Sequence, residues 1–360
     1  ISSLVLTKFD LFLINETPKI YKSNNHLPDV AYGRTERDTW GAWHKKNSSF
    51  THSSACFDVV MTFNEVGARD SSFNNLKENT ILLLGDSFAE GFGVSYEKTS
   101  QYKLEKILGI EVANFGSAGS FGPLQELILY KNFKYVPHNG LIIYLLPSND
   151  FTDNDIETWE RVDKKRFRPY FSNEGNPLEP YFFQESKKRD SFIETPEETF
   201  KQFLKDYFWI SNPIRSAFLI VKGDTQKKFG GNIISKYYDS KIDHQKNLVL
   251  AYNEILNIAK KKDVLFVIIP GKNDIARFRL EKNPYRYQNQ LWYKSLEAFT
   301  NYTNQNVSVL DLMDYLPDET EDLFFSCDGH WSIQGNDWAA SVIANHILSF
   351  NLFKAIQIIN

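Results

Sequence analysis

A serine lies directly after a short apolar segment, where a strand would end. Residues 85–88 (GDSF) follow the apolar residues 81–84 (ILLL). A serine hydroxyl is a poor nucleophile at neutral pH, and it needs a base within hydrogen-bond reach. Ser87 is therefore a candidate nucleophile. By itself this tripeptide is also typical of an ordinary turn after a strand, so the hypothesis needs a matching base elsewhere in the chain.

The best match for that base is His330. Of the seven histidines, it alone follows a carboxylate by two residues in a glycine-containing segment, residues 328–332 (DGHWS). An aspartate that orients an imidazole gives it the tautomer needed to accept a serine proton. Asp328 and His330 are thus a candidate acid–base pair, although a solitary histidine is more often structural.

Two further polar segments could stabilise a developing negative charge. Residues 114–119 (NFGSAG) and 147–150 (PSND) each follow a short apolar run. Glycines let a ligand approach the backbone closely. An asparagine side chain can donate to an oxyanion, a role that typically lowers a barrier by about 3–4 kcal/mol. Gly119 and Asn149 are the candidate donors, and each segment alone also fits a tight turn.

From Thr80 onward, short apolar strands alternate with amphipathic helices. Strands are predicted at residues 81–84, 110–113, 141–146, 264–269 and 307–312, and helices at 98–108, 123–135, 245–261, 288–303 and 333–350. This alternation predicts a three-layer α/β/α fold with a mostly parallel sheet. Because ligands bind at the carboxyl ends of parallel strands, the polar segments above are expected at one edge of the sheet.

The rest of the chain is less regular. Residues 1–78 are predicted to be an N-terminal extension that packs on a main domain of residues 79–360. Residues 151–243 interrupt the alternation and are rich in charged residues, Phe and Tyr. They are predicted to form a partly helical insertion over or beside the core.

The composition excludes several classes of protein. Hydrophobic residues make up 42% and charged residues 24%, as in a folded globular protein. The formal net charge of −4 provides no field that would recruit nucleic acid or an anionic membrane. We find no glycine-rich phosphate loop and no metal-spaced His/Cys cluster, so neither a cofactor nor a metal is expected.

Two features bear on location and leave alternatives open. Cys56 and Cys327 either form one disulfide in an exported protein or remain free thiols. Residues 4–14 (LVLTKFDLFLI) are either the membrane-proximal end of an anchor or signal segment or an amphipathic element that packs on the body.

Taken in order, the four polar segments resemble the blocks of the SGNH (GDSL-like) hydrolase superfamily: a Ser, a Gly, an Asn and an Asp–His block. The resemblance covers roughly residues 80–150 and 245–350. It implies a flavodoxin-like fold and a serine hydrolase. Matched onto these blocks, the catalytic triad is Ser87, Asp328 and His330, and the oxyanion hole is Ser87, Gly119 and Asn149.

The chain departs from the family pattern in three places. Pro147 replaces the usual glycine of the Asn block, and Asp328 precedes His330 by two residues rather than three. The shorter spacing leaves open whether Asp328 or another carboxylate supports the histidine. The insertion at 151–243 is the third departure, and no family residue can be carried onto it.

A subgroup resemblance narrows the expected function. Residues 64–70 (NEVGARD) and 270–272 (PGK) are similar to stretches in exported or membrane-anchored members linked to acylation of surface polysaccharides. This implies an esterase that removes short acyl groups, such as acetyl, from a carbohydrate. The alternatives are an O-acyltransferase acting on a cell-surface polysaccharide and an inactive SGNH-fold binding module. An extracytoplasmic location, with a possible preceding membrane anchor, is expected, and a cytoplasmic one is the alternative.

Overall fold

A five-stranded parallel sheet forms the centre of the structure, a computed structural model that describes residues 34, 36–54, 56–119, 121–160, 167–172, 176–182, 233–301 and 306–353. The strands are β1 (Glu36–Asp38), β2 (Gly41–Trp43), β3 (Ser48–Ser54), β4 (Phe57–Phe63), β5 (Ile81–Leu84), β6 (Val112–Asn114), β7 (Gly140–Leu145), β8 (Asp263–Ile268) and β9 (Val307–Asp311). The central sheet has the order β6-β5-β7-β8-β9, and all its neighbours are parallel. Numbered within the sheet, this is the flavodoxin-like order 2-1-3-4-5.

Helices cover both faces of this sheet. They are α1 (Ser87–Glu90), α2 (Ser100–Leu108), α3 (Pro123–Phe133), α4 (Pro147–Asp153), α5 (Ile156–Glu160), α6 (Lys236–Asp239), α7 (Ile242–Ala259), α8 (Lys272–Leu280), α9 (Leu291–Phe299) and α10 (Ile333–Ser349). On one face α2 packs against α10, and on the other α7 packs against α3, α4 and α9. The predicted three-layer α/β/α class is confirmed.

The apolar runs in the sequence explain the central strands. Strands of a parallel sheet are covered on both faces, so they consist of nearly continuous apolar residues rather than alternating ones. All four residues of β5 and all six of β7 are buried. Full burial of one such leucine or isoleucine contributes about 1.5–3 kcal/mol. The register pairs Ile81 with Gly140 and Leu84 with Ile143, so β7 continues to Leu145 beyond the carboxyl end of β5.

Two antiparallel hairpins precede the sheet. β1 pairs with β2, and β3 pairs with β4 over seven residues. Cys56 lies in the turn between β3 and β4, and its sulfur is bonded to that of Cys327. Of the two alternatives for the cysteines, the structure therefore has the bridge, which joins the second hairpin to the segment before α10.

Element boundaries differ from the predicted ones where local capping intervenes. Thr99 caps α2 through its side chain, which accepts the N–H of Tyr102, so the helix begins at Ser100. A 3₁₀ helix at Pro284–Asn289 precedes α9 and shortens the predicted helix to Leu291–Phe299. Both changes follow from side-chain caps or prolines that periodicity alone does not register.

The described parts of the predicted insertion contact the core. Phe151, Tyr170 and Phe171 are buried, and the backbones of Tyr170 and Tyr181 bond to each other. The segment at residues 4–14 and residues 183–232 of the predicted insertion lie outside the described residues. The domain boundaries at 78 and the insertion limits remain predictions. No helix within the described ranges is long and apolar enough to cross a membrane.

Candidate active site

Ser87 sits at a sharp turn between β5 and α1. Asp86 caps the helix, since its carboxylate accepts the N–H of Phe88 at 2.9 Å. Gly85 has φ +148°, and a Cβ there would lie 2.9 Å from the Cβ atoms of Ala89 and Tyr144. Glycine is therefore required at this position, because a side chain would have no room and the backbone angle disfavours one. The turn brings Ser87 to the carboxyl end of β5, next to the point where the strand order reverses.

Ser87, His330 and Asp328 form one chain of hydrogen bonds. The Ser87 Oγ lies 2.7 Å from His330 Nε2. On the other side of the ring, His330 Nδ1 bonds to the Asp328 carboxylate, whose same oxygen accepts the backbone N–H of His330 at 2.9 Å. An ionised carboxylate can only accept, so Nδ1 carries the proton and Nε2 is free to accept that of Ser87. The three residues predicted as a triad thus meet, although Ser87 and His330 are 243 positions apart in sequence.

Asp328, two residues before the histidine, is the carboxylate at Nδ1 despite the unusual spacing. Burial acts to raise the pKa of Asp328, but the hydrogen bonds from His330 and the nearby charge of Lys272 outweigh it. The pKa of Asp328 consequently lies below its ordinary value. The carboxylate is ionised at neutral pH and suited to hold the imidazole in one tautomer.

Aromatic rings hold His330 from the side. Phe92 stacks on the imidazole with ring centroids 4.0 Å apart, and Phe88 lies at 5.2 Å. Phe92 is packed in turn against His52 and Phe57 of the β3–β4 hairpin. The N-terminal hairpin therefore forms the support behind the histidine.

The loop that carries Asp328 and His330 is fastened at several points. Lys272, at the start of α8, donates from Nζ to the carbonyl oxygens of Phe325 and of Asp328, the latter at 2.8 Å. The backbone N–H of Phe325 donates to the carbonyl of His330 at 3.0 Å. Cys327, which lies between Phe325 and Asp328 in the sequence, is disulfide-bonded to Cys56. Lys272 belongs to the PGK stretch noted in the sequence, which gives that motif a structural role.

Asn149 lies in α4, at the carboxyl end of β7. Its Nδ2 donates to the Asp86 Oδ2 at 3.3 Å, which brings the amide beside the residue that precedes Ser87. Pro147, where the family has glycine, is the first residue of α4. Proline is well accepted there because the first helical N–H has no partner inside the helix. This departure from the family pattern is thus compatible with the position of Asn149.

Gly119 lies in a turn after β6 that is attached to the helix of Ser87. Asn114 donates to the carbonyl of Ala89 at 2.7 Å and accepts the N–H of Gly116 at 2.8 Å. Gly119 has φ +89°, and a Cβ there would lie 2.1 Å from the guanidinium of Arg34. The carbonyl of Gly119 accepts hydrogen bonds from Arg34 at 3.4 Å and from Arg168 at 3.2 Å. Glycine is favoured here by its left-handed backbone angle, and a side chain would also displace the Arg34 guanidinium.

Several residues of this region were not found from the sequence. Arg34 and Arg168 lie in segments without any recognisable motif. Glu90 was overlooked although a signal was present, since it is a lone acid among the apolar and small residues of 88–93 (FAEGFG). Acids are rarely fully buried without a partner, so a glutamate at that place indicates a specific contact.

Other buried carboxylates lie behind the site. Burial raises the pKa of Asp86 to about 6, and it raises the pKa values of Glu126 and Asp150 well above the ordinary range, with added repulsion between these carboxylates. No group of three or more His, Cys, Asp or Glu residues in the described part of the chain has the arrangement of a metal site.

Comparison with known proteins adds a family match. Residues 235–357, about a third of the chain, match the model of the "SGNH hydrolase-like domain, acetyltransferase AlgX". The matched region contains Lys272, Asp328 and His330, whereas Ser87, Gly119 and Asn149 precede it. No curated protein sequence matches the chain.

Solved structures with some likeness are distant. The salicylyl-acyltransferase SsfX3 from a tetracycline biosynthetic pathway is 12% identical at a TM-score of 0.38. The alignment covers 79% of this chain and 57% of the SsfX3 chain. A putative lipolytic protein of the G-D-S-L family from Desulfitobacterium hafniense is 15% identical at a TM-score of 0.34, and the alignment covers 74% of this chain and 98% of that protein. The acetyl xylan esterase Est2A from Butyrivibrio proteoclasticus is 9% identical at a TM-score of 0.37, and the alignment covers 77% of this chain and 66% of the esterase chain.

Three observations relate this chain to the SGNH hydrolases. The four sequence blocks occur in the family order, the sheet has the flavodoxin-like strand order, and residues 235–357 match the family model. In these three respects the chain is similar to the SGNH hydrolases, and its residues 235–357 match the model of an SGNH hydrolase-like domain.

Proposed function

We propose that this protein is a serine esterase that removes short acyl groups, acetyl above all, from a carbohydrate through an acyl-enzyme. The observation that carries the proposal is the 2.7 Å hydrogen bond between Ser87 Oγ and His330 Nε2, with Asp328 on the opposite side of the imidazole. This is the arrangement that makes a serine hydroxyl nucleophilic at neutral pH. An inactive binding module has no need of it.

In the first half-reaction, Ser87 Oγ attacks the ester carbonyl while His330 Nε2 takes the hydroxyl proton. The carbonyl oxygen becomes negative and accepts hydrogen bonds from the N–H groups of Ser87 and Gly119 and from the Asn149 side chain. The bond to the alcohol then breaks, and His330 returns its proton to the leaving oxygen. The products are a free hydroxyl on the carbohydrate and an acyl ester on Ser87.

In the second half-reaction, His330 takes a proton from an incoming hydroxyl, whose oxygen attacks the acyl carbonyl. The bond between the acyl group and Ser87 Oγ then breaks, and His330 gives its proton to Oγ, which regenerates Ser87. Water as that nucleophile completes hydrolysis. A sugar hydroxyl completes transfer and yields a new ester. Because the same residues serve both routes, selection between them depends on which acceptor the site holds and how well water is excluded.

Transfer to a cell-surface polysaccharide is the second candidate. This candidate is favoured by the match of residues 235–357, because the description of the matching family model names an acetyltransferase. Incubation with an acetylated donor and an unacetylated oligosaccharide separates the two. Free acetate alone supports the esterase, whereas an acetylated acceptor in excess of free acetate supports the transferase.

The carbohydrate substrate is supported by the subgroup motifs more than by the aromatic residues of the insertion. Tyr170 is fully buried, and Phe167 packs against Phe182 at 5.3 Å, so these rings serve packing. Tyr181 is 43% exposed, so among the described aromatic residues of the insertion it has the exposure that stacking on a sugar needs. A competition assay with acetylated oligosaccharides against p-nitrophenyl butyrate tests the preference for short acyl groups on sugars.

We further propose an extracytoplasmic location. The Cys56–Cys327 disulfide supports it, because disulfides persist in oxidising compartments and are rare in reducing cytosol. Non-reducing peptide mass spectrometry of protein from its native host tests this point. Two free thiols would contradict it.

A further inference from the structure

A fully buried glutamate joins the helix of Ser87 to the turn that contains Gly119. Glu90 is the last residue of α1, one turn after Ser87, and it has no exposed surface. One of its carboxylate oxygens bonds to His44 Nε2 at 2.7 Å. The other accepts the backbone N–H of Ala118 at 3.0 Å. Both oxygens are therefore engaged, and one of them holds the residue directly before Gly119.

The surroundings keep this carboxylate ionised. Burial acts to raise the pKa of Glu90, but His44, the charge of Arg69 and the N–H of Ala118 together outweigh it and lower the pKa. Arg69 also donates to the backbone carbonyls of Glu90 and Gly91. A charged acceptor forms hydrogen bonds roughly twice as strong as a neutral one. The bond from Ala118 is thus a firm anchor and not a marginal contact.

The turn is held on both sides of the Gly119 N–H. Before it, Glu90 fixes the N–H of Ala118. After it, the guanidinium groups of Arg34 and Arg168 fix the carbonyl of Gly119. With the preceding amide and the following carbonyl both restrained, the peptide that carries the Gly119 N–H has little freedom to rotate. Such preorganised donors cost no reorganisation when charge develops on a substrate oxygen.

We propose that Glu90 is a positioning residue of the oxyanion hole, whose carboxylate aims the Gly119 N–H at the carbonyl oxygen attacked by Ser87. This inference depends on the proposed function, in which Gly119 donates to the oxyanion. The Glu90 carboxylate acts through Ala118 and not on the substrate. His44 orients the carboxylate, and the short helix α1 fixes the distance between nucleophile and oxyanion donor.

Three variants test this role with p-nitrophenyl acetate. Glu90→Ala removes the acceptor and is expected to lower kcat about 10- to 100-fold while KM stays within about twofold, because a displaced donor weakens the transition state more than the ground state. Glu90→Gln keeps an oxygen for Ala118 and is expected to retain kcat within about threefold. Glu90→Asp keeps the charge but shortens the reach, and it is expected to lower kcat even if the alanine variant fails to fold.

The matched control is Asp311→Ala. Asp311 is also a buried carboxylate that accepts a backbone N–H, that of Met313 at 2.9 Å, but it lies at the opposite edge of the sheet from β6. Its loss is expected to lower stability without changing kcat. A purely structural role for Glu90 would make the two alanine variants behave alike.

Amide hydrogen exchange at Ala118 provides the direct readout. Protection of this amide is expected in the wild type and in Glu90→Gln, and at least tenfold faster exchange in Glu90→Asp. A folded Glu90→Asp protein with wild-type kcat, or a Glu90→Gln protein as slow as Glu90→Asp, would overturn the proposal. Failure of the proposed function has a different signature, namely a Ser87→Ala variant with wild-type kcat.

Discussion

Cys327, the residue immediately before Asp328, is disulfide-bonded to Cys56 in the turn of the β3–β4 hairpin. The carboxylate that orients His330 is therefore covalently tethered to a part of the chain 271 residues away. The same hairpin contributes Phe57, which packs against Phe92 behind the imidazole. The N-terminal region thereby participates in holding the acid–base pair in place.

Removal of this bridge is expected to affect both stability and rate. Cys56→Ser with Cys327→Ser should lower the free energy of unfolding by about 2–5 kcal/mol, since the unfolded chain gains freedom when a long loop is opened. It should also lower kcat for p-nitrophenyl acetate, because Asp328 loses its tether. Urea unfolding and steady-state kinetics measure the two effects. Wild-type values for both in the double variant would contradict the tethering role.

Lys272 is expected to support catalysis through the backbone of the same loop. Lys272→Met removes the hydrogen bonds to Phe325 and Asp328 and should lower kcat roughly 3- to 10-fold, because small displacements of catalytic groups reduce the rate steeply. Lys262→Met is the matched control, since Lys262 also donates to a backbone carbonyl, that of His138. Lys262 lies directly before β8, whereas Lys272 follows the end of that strand. Equal kcat values for the two variants would show that Lys272 has no special role.

Asn149 is expected to contribute to the transition state rather than to substrate binding. Asn149→Ala should lower kcat by about 10²- to 10³-fold with little change in KM, the typical result of losing one oxyanion donor. Asn132→Ala, on the exposed side of α3, is the control and should leave both constants unchanged. A large rise in KM with unaltered kcat would assign Asn149 to ground-state binding instead.

The buried Asp311 is expected to make stability depend on pH. Burial raises the pKa of Asp311 to about 7, with a smaller repulsive contribution from Asp314. The folded state therefore retains a proton that the unfolded state releases near pH 4. Its stabilising contribution is complete below about pH 4 and is lost as the pH rises through about 7.

The asparagine of Asp311→Asn cannot ionise. The free energy of unfolding of the variant, relative to that of the wild type, should therefore increase on the order of 1–3 kcal/mol as the pH is raised from 5 to 8. Urea unfolding at the two pH values measures this difference. An identical difference between variant and wild type at both pH values would mean that Asp311 does not titrate in this range.

Much of the fold was predictable because parallel strands are buried on both faces. Runs such as residues 81–84, 141–146 and 264–269 are apolar without alternation, and each corresponds to a strand of the central sheet. The order of those strands was supplied only by the family resemblance, since pairing depends on contacts distant in sequence. The bridge between Cys56 and Cys327 remained open for the same reason.

The candidate site divides in the same way. The turn residues around Ser87 and His330 carry local signals. Ser87 follows an apolar strand and a glycine that the turn requires, and His330 lies just before the helix α10. The residues that hold them carry weaker signals or none. The PGK stretch includes Lys272 and Glu90 is a lone acid among apolar and small residues, whereas Arg168 lies in no motif. All three bind backbone atoms of distant loops, and a backbone partner leaves no trace in the side-chain pattern.

The central claim is that Ser87, activated by His330 and Asp328, forms the acyl-enzyme. Its most direct test is acid-quenched turnover of p-nitrophenyl acetate followed by peptide mass spectrometry, with wild type and Ser87→Ala compared. We predict one acetyl group on the peptide that contains Ser87 in the wild type, and a loss of at least about 10³-fold in kcat/KM in the variant. Wild-type turnover by Ser87→Ala, or an acetyl group on a different catalytic residue, would contradict the account.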